Sequence, residues 1–301
     1  MSLVVCKLPK AGLGNQLFPL MKAVSFAHLN NLEVVVTNYR QLKLGPWIRG
    51  EKNKRNYAAL FTFQKSMVAA LRNQLRVSKY KKSAIINEPT LQTLTGNIDR
   101  DVLYQVSAIP HYTRLFAELK ENRPLVNELL IELIRPAVRE KIKRLPSPVI
   151  GVHIRRGDFQ KLSAGETFGS RGTVGTPEAY FIEMINAIRQ MHGSALPVSV
   201  FTDGHENEFN QLFKLENVSM VAGNDDITDM VLLSKSKIIV TSAGSTFSYW
   251  AAFLSDAAVI MHPTYVNMVI RPKNADDRFY YGAWDEKNPQ LTHIVKQINH
   301  D

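Results

Sequence analysis

VIGVHIRRGDF (residues 149–159) is the stretch whose reading decides the fold. Its first six residues form an apolar run, interrupted only by Gly151 and His153 and rich in β-branched side chains. Such a run, bounded by the Pro146-Ser-Pro148 turn signal and by Gly157, reads as a strand buried on both faces of a parallel sheet. It leads straight into Arg155, Arg156 and Asp158. In open α/β sheets, ligands bind at the carboxyl ends of strands. A strand that ends in two arginines therefore points to an anion, because the guanidinium fork matches phosphate oxygens and keeps its charge.

Working outward, strands alternate with helices on both sides. Before it come a strand at residues 3–8, a Pro9–Gly14 turn, a helix to about Leu29 ended by Asn30-Asn31, and a strand at 33–37. A helical region spans 122–143, with Asn122 as N-cap, Pro124 in the first turn and a break at Pro136. After it, a helix spans 177–191 with Thr176 as N-cap, followed by a strand at 197–201, a helix at 206–215 and a strand at 218–221. The pattern continues with a helix at 226–236, a strand at 238–241, a helix at 245–254, a strand at 257–261 and a last amphipathic helix near 291–298. This order predicts an α/β protein of two facing doubly wound domains with a cleft between them. The expected boundary lies at the 145–148 linker. It gives residues 1–144 and 145–301, with the last helix able to pack back onto the N-terminal domain.

Three loops between strand and helix carry the chemistry. Gly12-Leu-Gly14-Asn15-Gln16 offers glycines and helix-terminal amides, but Leu17 occupies the third glycine position of a dinucleotide fingerprint. His153, Arg155, Arg156 and Asp158 cluster after the 149–154 strand, where Asp158 would orient one guanidinium. Ser242-Ala-Gly244-Ser245-Thr246-Phe247 sets two hydroxyls and free amides at a helix start, an anion cradle without the lysine of a P-loop. Asp203 in Thr-Asp-Gly and the trio Asp225, Asp226 and Asp229 could accept hydrogen bonds from a base edge or ribose, although acids at helix starts are also favoured electrostatically. One cysteine and eight scattered histidines give no zinc spacing, so no metal is expected.

Composition narrows the class. The 301 residues are 45% hydrophobic and 21% charged, which excludes a disordered chain. No window approaches the ~18 uninterrupted apolar residues of a membrane span. No signal peptide is read at the N-terminus, and Cys6 stands alone, so a cytoplasmic protein with at most peripheral membrane contact is expected. The net charge is +10. All of that excess lies between Arg40 and Lys82, where twelve lysines and arginines meet the single acid Glu51. A nucleic-acid-binding protein is the reading from another class. The basic and aromatic residues of this segment, however, form no known RNA-binding module.

The combination GLGNQLF, GVHIRRGDF, TDG and SAGSTFSYWAAFL, in that order, resembles the α-1,2-fucosyltransferases that use GDP-fucose, within the HxRR fucosyltransferase superfamily. The resemblance implies a GT-B fold, with GDP-β-L-fucose in the C-terminal domain. It also implies an inverting, metal-independent transfer of L-fucose to a sugar hydroxyl, such as the 2-OH of galactose, in glycan or surface-polysaccharide synthesis. Arg155 would bind the β-phosphate and His153 would sit by the nucleotide, with Arg156 beside them. Asp203 and Asp229 would contact guanine or ribose, and Ser245, Thr246 and Phe247 would cradle the diphosphate. Asn15, after Gly14, would face the donor across the cleft. The base, if a carboxylate serves, would be Glu166 or Asp158. The chain departs from the family at Gly204 (usually a second acid), Gly244 (usually Asn), Tyr249 and Ala11. These departures keep transfer of another GDP-linked deoxyhexose open. An anionic acceptor, such as a diphosphate-linked lipid, is the partner expected for the basic segment.

Overall fold

The computed structural model describes residues 2–39, 41, 57–63, 67–94, 101–157, 159–160, 168, 174–266, 268–272 and 279–299. The chain divides into two compact units. One takes in the described residues of 1–43, 55–140 and 269–271; the other holds the rest.

The first unit is built on the parallel strands β1 (Leu3–Lys7), β2 (Glu33–Thr37), β3 (Ile85–Asn87) and β4 (Leu103–Val106), in the order β2-β1-β4-β3. Its helices are α1 (Leu13–Leu29), α2 (Met67–Ser78) and α3 (Arg123–Leu133); α4 (Pro136–Arg144) begins at the next proline and runs on into the second unit. Leu3, Val5, Val35 and Leu103 pack as one core, with Val77 and Tyr80 laid against it. α1 ends at Asn30, and Asn31 takes the left-handed conformation (φ 49°) that Asn tolerates better than most residues. Inside α1, Pro19 has no N–H to donate to the carbonyl of Asn15. The break expected at Pro136 is present, but Asn122 makes no side-chain cap.

The second unit carries β5 (Ile150–Ile154), β6 (Val198–Thr202), β7 (Val218–Met220), β8 (Ile238–Val240), β9 (Ala258–Ile260) and β10 (Tyr281–Gly282). They form one parallel sheet in the order β10-β9-β8-β5-β6-β7. α5 (Glu178–His192), α6 (Asp226–Ser234), α7 (Thr246–Leu254) and α8 (Pro289–Lys296) accompany it. Every residue of β5 is buried, as its apolar run predicts. Gly151 leaves room for α6: a Cβ there would overlap the Ser236 hydroxyl and lie 2.6 Å from Leu233 Cδ1. The α/β class with parallel sheets is thus the one expected.

Two local expectations are corrected. Residues 206–215 form two 3-10 turns, Glu206–Glu208 and Leu212–Lys214, not a helix. The Glu178 carboxylate accepts the amides of Asn210 (3.2 Å), Gln211 (2.9 Å) and Leu212 (2.7 Å), so these N–H groups are not available to carbonyls one helical turn back. Thr176 does not cap α5, whose N-cap is Pro177. The last helix, α8, packs within the second unit, where Leu291 and Val295 join the core of Phe181, Ile185 and Ile188 from α5.

Candidate active site at the switch point of the second sheet

From β5 the chain moves outward through β6 to β7, then returns to lay β8 on the other side of β5 and continues to β9. The strand order reverses between β5 and β8. That reversal opens a crevice at their carboxyl ends, the position where open α/β sheets bind ligands. The loops that leave there are the Arg155-Arg156-Gly157 segment after β5 and Thr241–Ser245 before α7.

The two loops are stapled together. β8 pairs with β5 as far as Val152↔Val240. Beyond that point the Ser242 hydroxyl replaces the ladder: it donates to the His153 carbonyl (2.9 Å) and accepts the Arg155 amide (2.9 Å). The Ala243 amide donates to Thr176 Oγ1 (3.0 Å) and the Gly244 amide to the Tyr249 hydroxyl (2.7 Å). Gly244 adopts φ +69°, which explains why this chain has glycine there.

Ser245 is the N-cap of α7, but its side chain makes no capping bond. The first bond back into the helix is Tyr249 N–H to the Ser245 carbonyl (3.1 Å). The amides of Thr246, Phe247 and Ser248 therefore precede any intrahelical acceptor and carry the positive end of the α7 dipole.

Asp203, at the end of β6, organises the arginines. One carboxylate oxygen accepts from the Arg155 guanidinium; the other accepts the Arg156 backbone N–H at 2.7 Å. Asp203 thus orients Arg155, and it does so with the carboxylate expected to contact guanine or ribose. Arg155 keeps 20% of its side-chain surface exposed, and its guanidinium lies 5.7 Å from the Phe159 ring centre. Arg156 turns the other way. Its guanidinium donates to the carbonyls of Arg155 (3.3 Å) and Thr176 (3.0 Å) and lies 5.1 Å from the Phe209 ring centre, so it braces the loop. Two glycines make the arrangement fit. Gly157 has φ +27°, and a Cβ there would overlap the Asp203 carboxylate. A Cβ at Gly204 would lie 2.8 Å from Arg156 Cγ, so a larger residue there would press on the Arg156 side chain.

His153 is 4% exposed and its ring stacks on Phe247 (4.7 Å between centroids, 19°). Its Nδ1 has no hydrogen-bond partner among the described residues. Burial first, and the Arg155 charge second, push its pKa down to about 3, so the imidazole is neutral at physiological pH.

The other candidates have local roles as well. Asp225 caps α6 by accepting the Thr228 amide (2.9 Å), and Asp229 accepts from the Asn224 side chain (2.9 Å). Gly14 and Asn15 lie in the first turn of α1 in the first unit. There the Gln16 side chain ties the preceding turn by donating to the carbonyls of Pro9 (3.2 Å) and Ala11 (3.0 Å). Asp158 and Glu166 lie outside the described residues, as do Arg40 and most of the basic segment up to Lys65. Among the described residues no group of three or more His, Cys, Asp or Glu side chains could hold a metal, and no helix is long and apolar enough to cross a membrane. Thr176, Tyr249 and Glu178 were missed as site-shaping residues; only the Ser-rich loop before α7 gave a sequence signal for the staple.

An arginine held by Asp203 and a helix N-terminus, on two loops stapled at a sheet switch point, make the candidate site of an α/β protein. The model of glycosyl transferase family 11 matches residues 91–279, well over half of the chain, and the protein belongs to that family. It is therefore a glycosyltransferase. Among solved structures it is similar to the fucosyltransferase NodZ from Bradyrhizobium, with 15% identity over 87% of this chain and 96% of that one (TM-score 0.48). It is also similar to Arabidopsis thaliana FUT1 in complex with GDP (15%, 91% and 72%, TM-score 0.45) and to POFUT1 in complex with GDP-fucose (14%, 83% and 92%, TM-score 0.41). Among curated protein sequences, none matches this chain significantly.

Proposed function

We propose that the protein transfers L-fucose from GDP-β-L-fucose to a sugar hydroxyl, with inversion and without a metal. The observation that carries this reading is Arg155, oriented by Asp203 beside the α7 amides. In the transfer, the acceptor oxygen bonds to the sugar's anomeric carbon while the bond from that carbon to the β-phosphate oxygen breaks. The electron pair leaves with GDP, and negative charge grows on the diphosphate. A fixed guanidinium and the amides of Thr246, Phe247 and Ser248 meet that charge with little reorganisation, the condition for electrostatic catalysis. The acceptor proton would pass to Glu166 or Asp158. Neutral His153 and Phe247 would pack against the nucleotide, and Gly14 and Asn15 would also serve the donor. The acceptor hydroxyl would be the 2-OH of a galactose in a glycan.

The basic segment supports an anionic, lipid-linked acceptor or the membrane surface beside it. Arg72, Lys79, Lys81 and Lys82 are exposed, as is Leu75 at 65%. Arg76 is the exception: it is paired with Glu33 through two bonds of 2.7 and 2.6 Å. Reversing Lys79, Lys81 and Lys82 should weaken binding to anionic liposomes; unchanged binding would reduce the segment to a solvated face.

The deciding assay offers GDP-fucose, GDP-mannose and UDP-galactose separately, without metal, and follows nucleotide release. GDP-fucose should be preferred, and Arg155→Ala should lower kcat far more than it raises the donor KM. Preference for UDP-galactose, or near-normal kcat in Arg155→Ala, would overturn the reading.

A further inference from the structure

The first sheet has its own switch point. From β1 the chain goes to β2 on one side, then to β3 and β4 on the other. β1 and β4 are parallel neighbours in register at Cys6↔Val106. The turn before α1 and the loop after β4 therefore leave the same sheet edge from adjacent strands. The loop after β4 reads Ser107-Ala-Ile109-Pro-His111-Tyr112-Thr-Arg114.

This loop is held at both ends. Glu88, itself at φ 48°, accepts the amides of Ser107 (2.7 Å) and Ala108 (2.8 Å) and the Ser107 hydroxyl (3.2 Å). Lys22 of α1 lies 3.6 Å from the same carboxylate. His111 then caps the 3-10 turn Tyr112–Arg114: its Nδ1 lies 2.9 Å from Thr113 Oγ1. Immediately after, Phe116 is buried against Phe18 of α1 (5.0 Å). Yet Tyr112 is 60% exposed and Ile109 39%. One exposed apolar side chain needs no explanation. Here two of the large apolar side chains that the described residues expose share one braced loop at the carboxyl edge of the sheet, where open α/β sheets bind ligands. The Tyr112 ring lies against that of His111, 4.4 Å away.

We propose that Tyr112 is the platform on which the acceptor's sugar ring stacks, the ligand being an uncharged hexopyranoside. A pyranose presents C–H bonds on one face and hydroxyls at its rim. The C–H face suits the electron-rich face of an aromatic ring, while the tyrosine hydroxyl and the His111 ring can serve the rim. An exposed ring on a pre-ordered loop loses little conformational entropy when a ligand stacks on it. This inference rests on the glycosyl-transfer reading and assigns its acceptor side.

The test uses the whole protein with GDP-fucose and lactose, in the variants Tyr112→Ala, Tyr112→Phe and Tyr112→Trp, with the exposed Ile131→Ala as control. Tyr112→Ala should raise the lactose KM on the order of ten-fold or more and the GDP-fucose KM less than about two-fold, with Phe and Trp retaining most acceptor affinity. A lactose KM unchanged in Tyr112→Ala, or raised equally in Ile131→Ala, overturns the platform and leaves the transfer reading standing. If wild type turns over GDP-fucose with no galactoside, the transfer reading fails instead. The platform is then judged by saturation-transfer NMR with methyl hexosides. Transfer lost in Tyr112→Ala supports it; no transfer to the wild type, or equal transfer to both, overturns it.

Discussion

Asp203 reaches from the end of one strand to Arg155 at the end of its neighbour, and its second oxygen holds the next backbone amide, that of Arg156, at 2.7 Å. The side chains are 18% and 20% exposed, so the pair is screened only in part. Asp203 is therefore a positioning residue for Arg155, the arginine proposed to meet the donor's phosphates. Asp203→Ala should cost about 2–3 kcal/mol of stability, the scale of hydrogen bonds to charged groups. Asp203→Asn should keep the amide bond and lose the charge. It should lower kcat with less effect on the donor KM, as steady-state kinetics would read. Equal stability and kinetics in both variants would refute the clamp.

Gly204→Asp restores the acid that the family usually carries, yet it should damage this chain. The new Cβ would lie 2.8 Å from Arg156 Cγ and force the bracing guanidinium away from the Thr176 carbonyl. A loss of about 1–3 kcal/mol in denaturant unfolding is expected, within the range for overpacking. Wild-type stability with normal activity would show that Arg156 yields without cost.

His153 predicts a pH effect on stability with a definite sign. Its folded pKa is about 3, below the ordinary value of 6.5, so between those values the unfolded chain binds more protons. Stability from this site should be fully present above pH 6.5 and should fall as pH drops toward 3. Melting temperatures from pH 4 to 7 should rise less steeply in His153→Gln than in wild type. Parallel curves would mean that His153 is not buried neutral.

Glu178→Ala should release the amides of Asn210, Gln211 and Leu212 together. The expected cost is about 1–3 kcal/mol, read by urea unfolding, with faster amide exchange at those positions. Protection unchanged at all three would mean that the turn holds without its carboxylate.

Much was legible in the sequence because it is local. The apolar run at 149–154 and the Val-rich run at 33–37 carry their own strand signal, and Pro136 divides its helix wherever the rest of the chain lies. β3, β4 and β10 gave no sequence reading: they are two to four residues long and are defined by the strands they pair with. The 206–215 helix failed for a related reason, since its amides are taken by Glu178, which is about 30 residues away in the chain.

By itself, then, the sequence determined the α/β class and where the glycine-bearing loops and the paired arginines fall between strand and helix, because strand runs, glycine turns and charge are written residue by residue. Only the tertiary structure decided how those charges are used. Whether Arg155 or Arg156 faces a ligand depends on Asp203, Thr176 and Phe209, which chain order separates and the sheet brings together. Hydrogen bonds and guanidinium packing act over a few ångströms, and distance along the chain does not encode them.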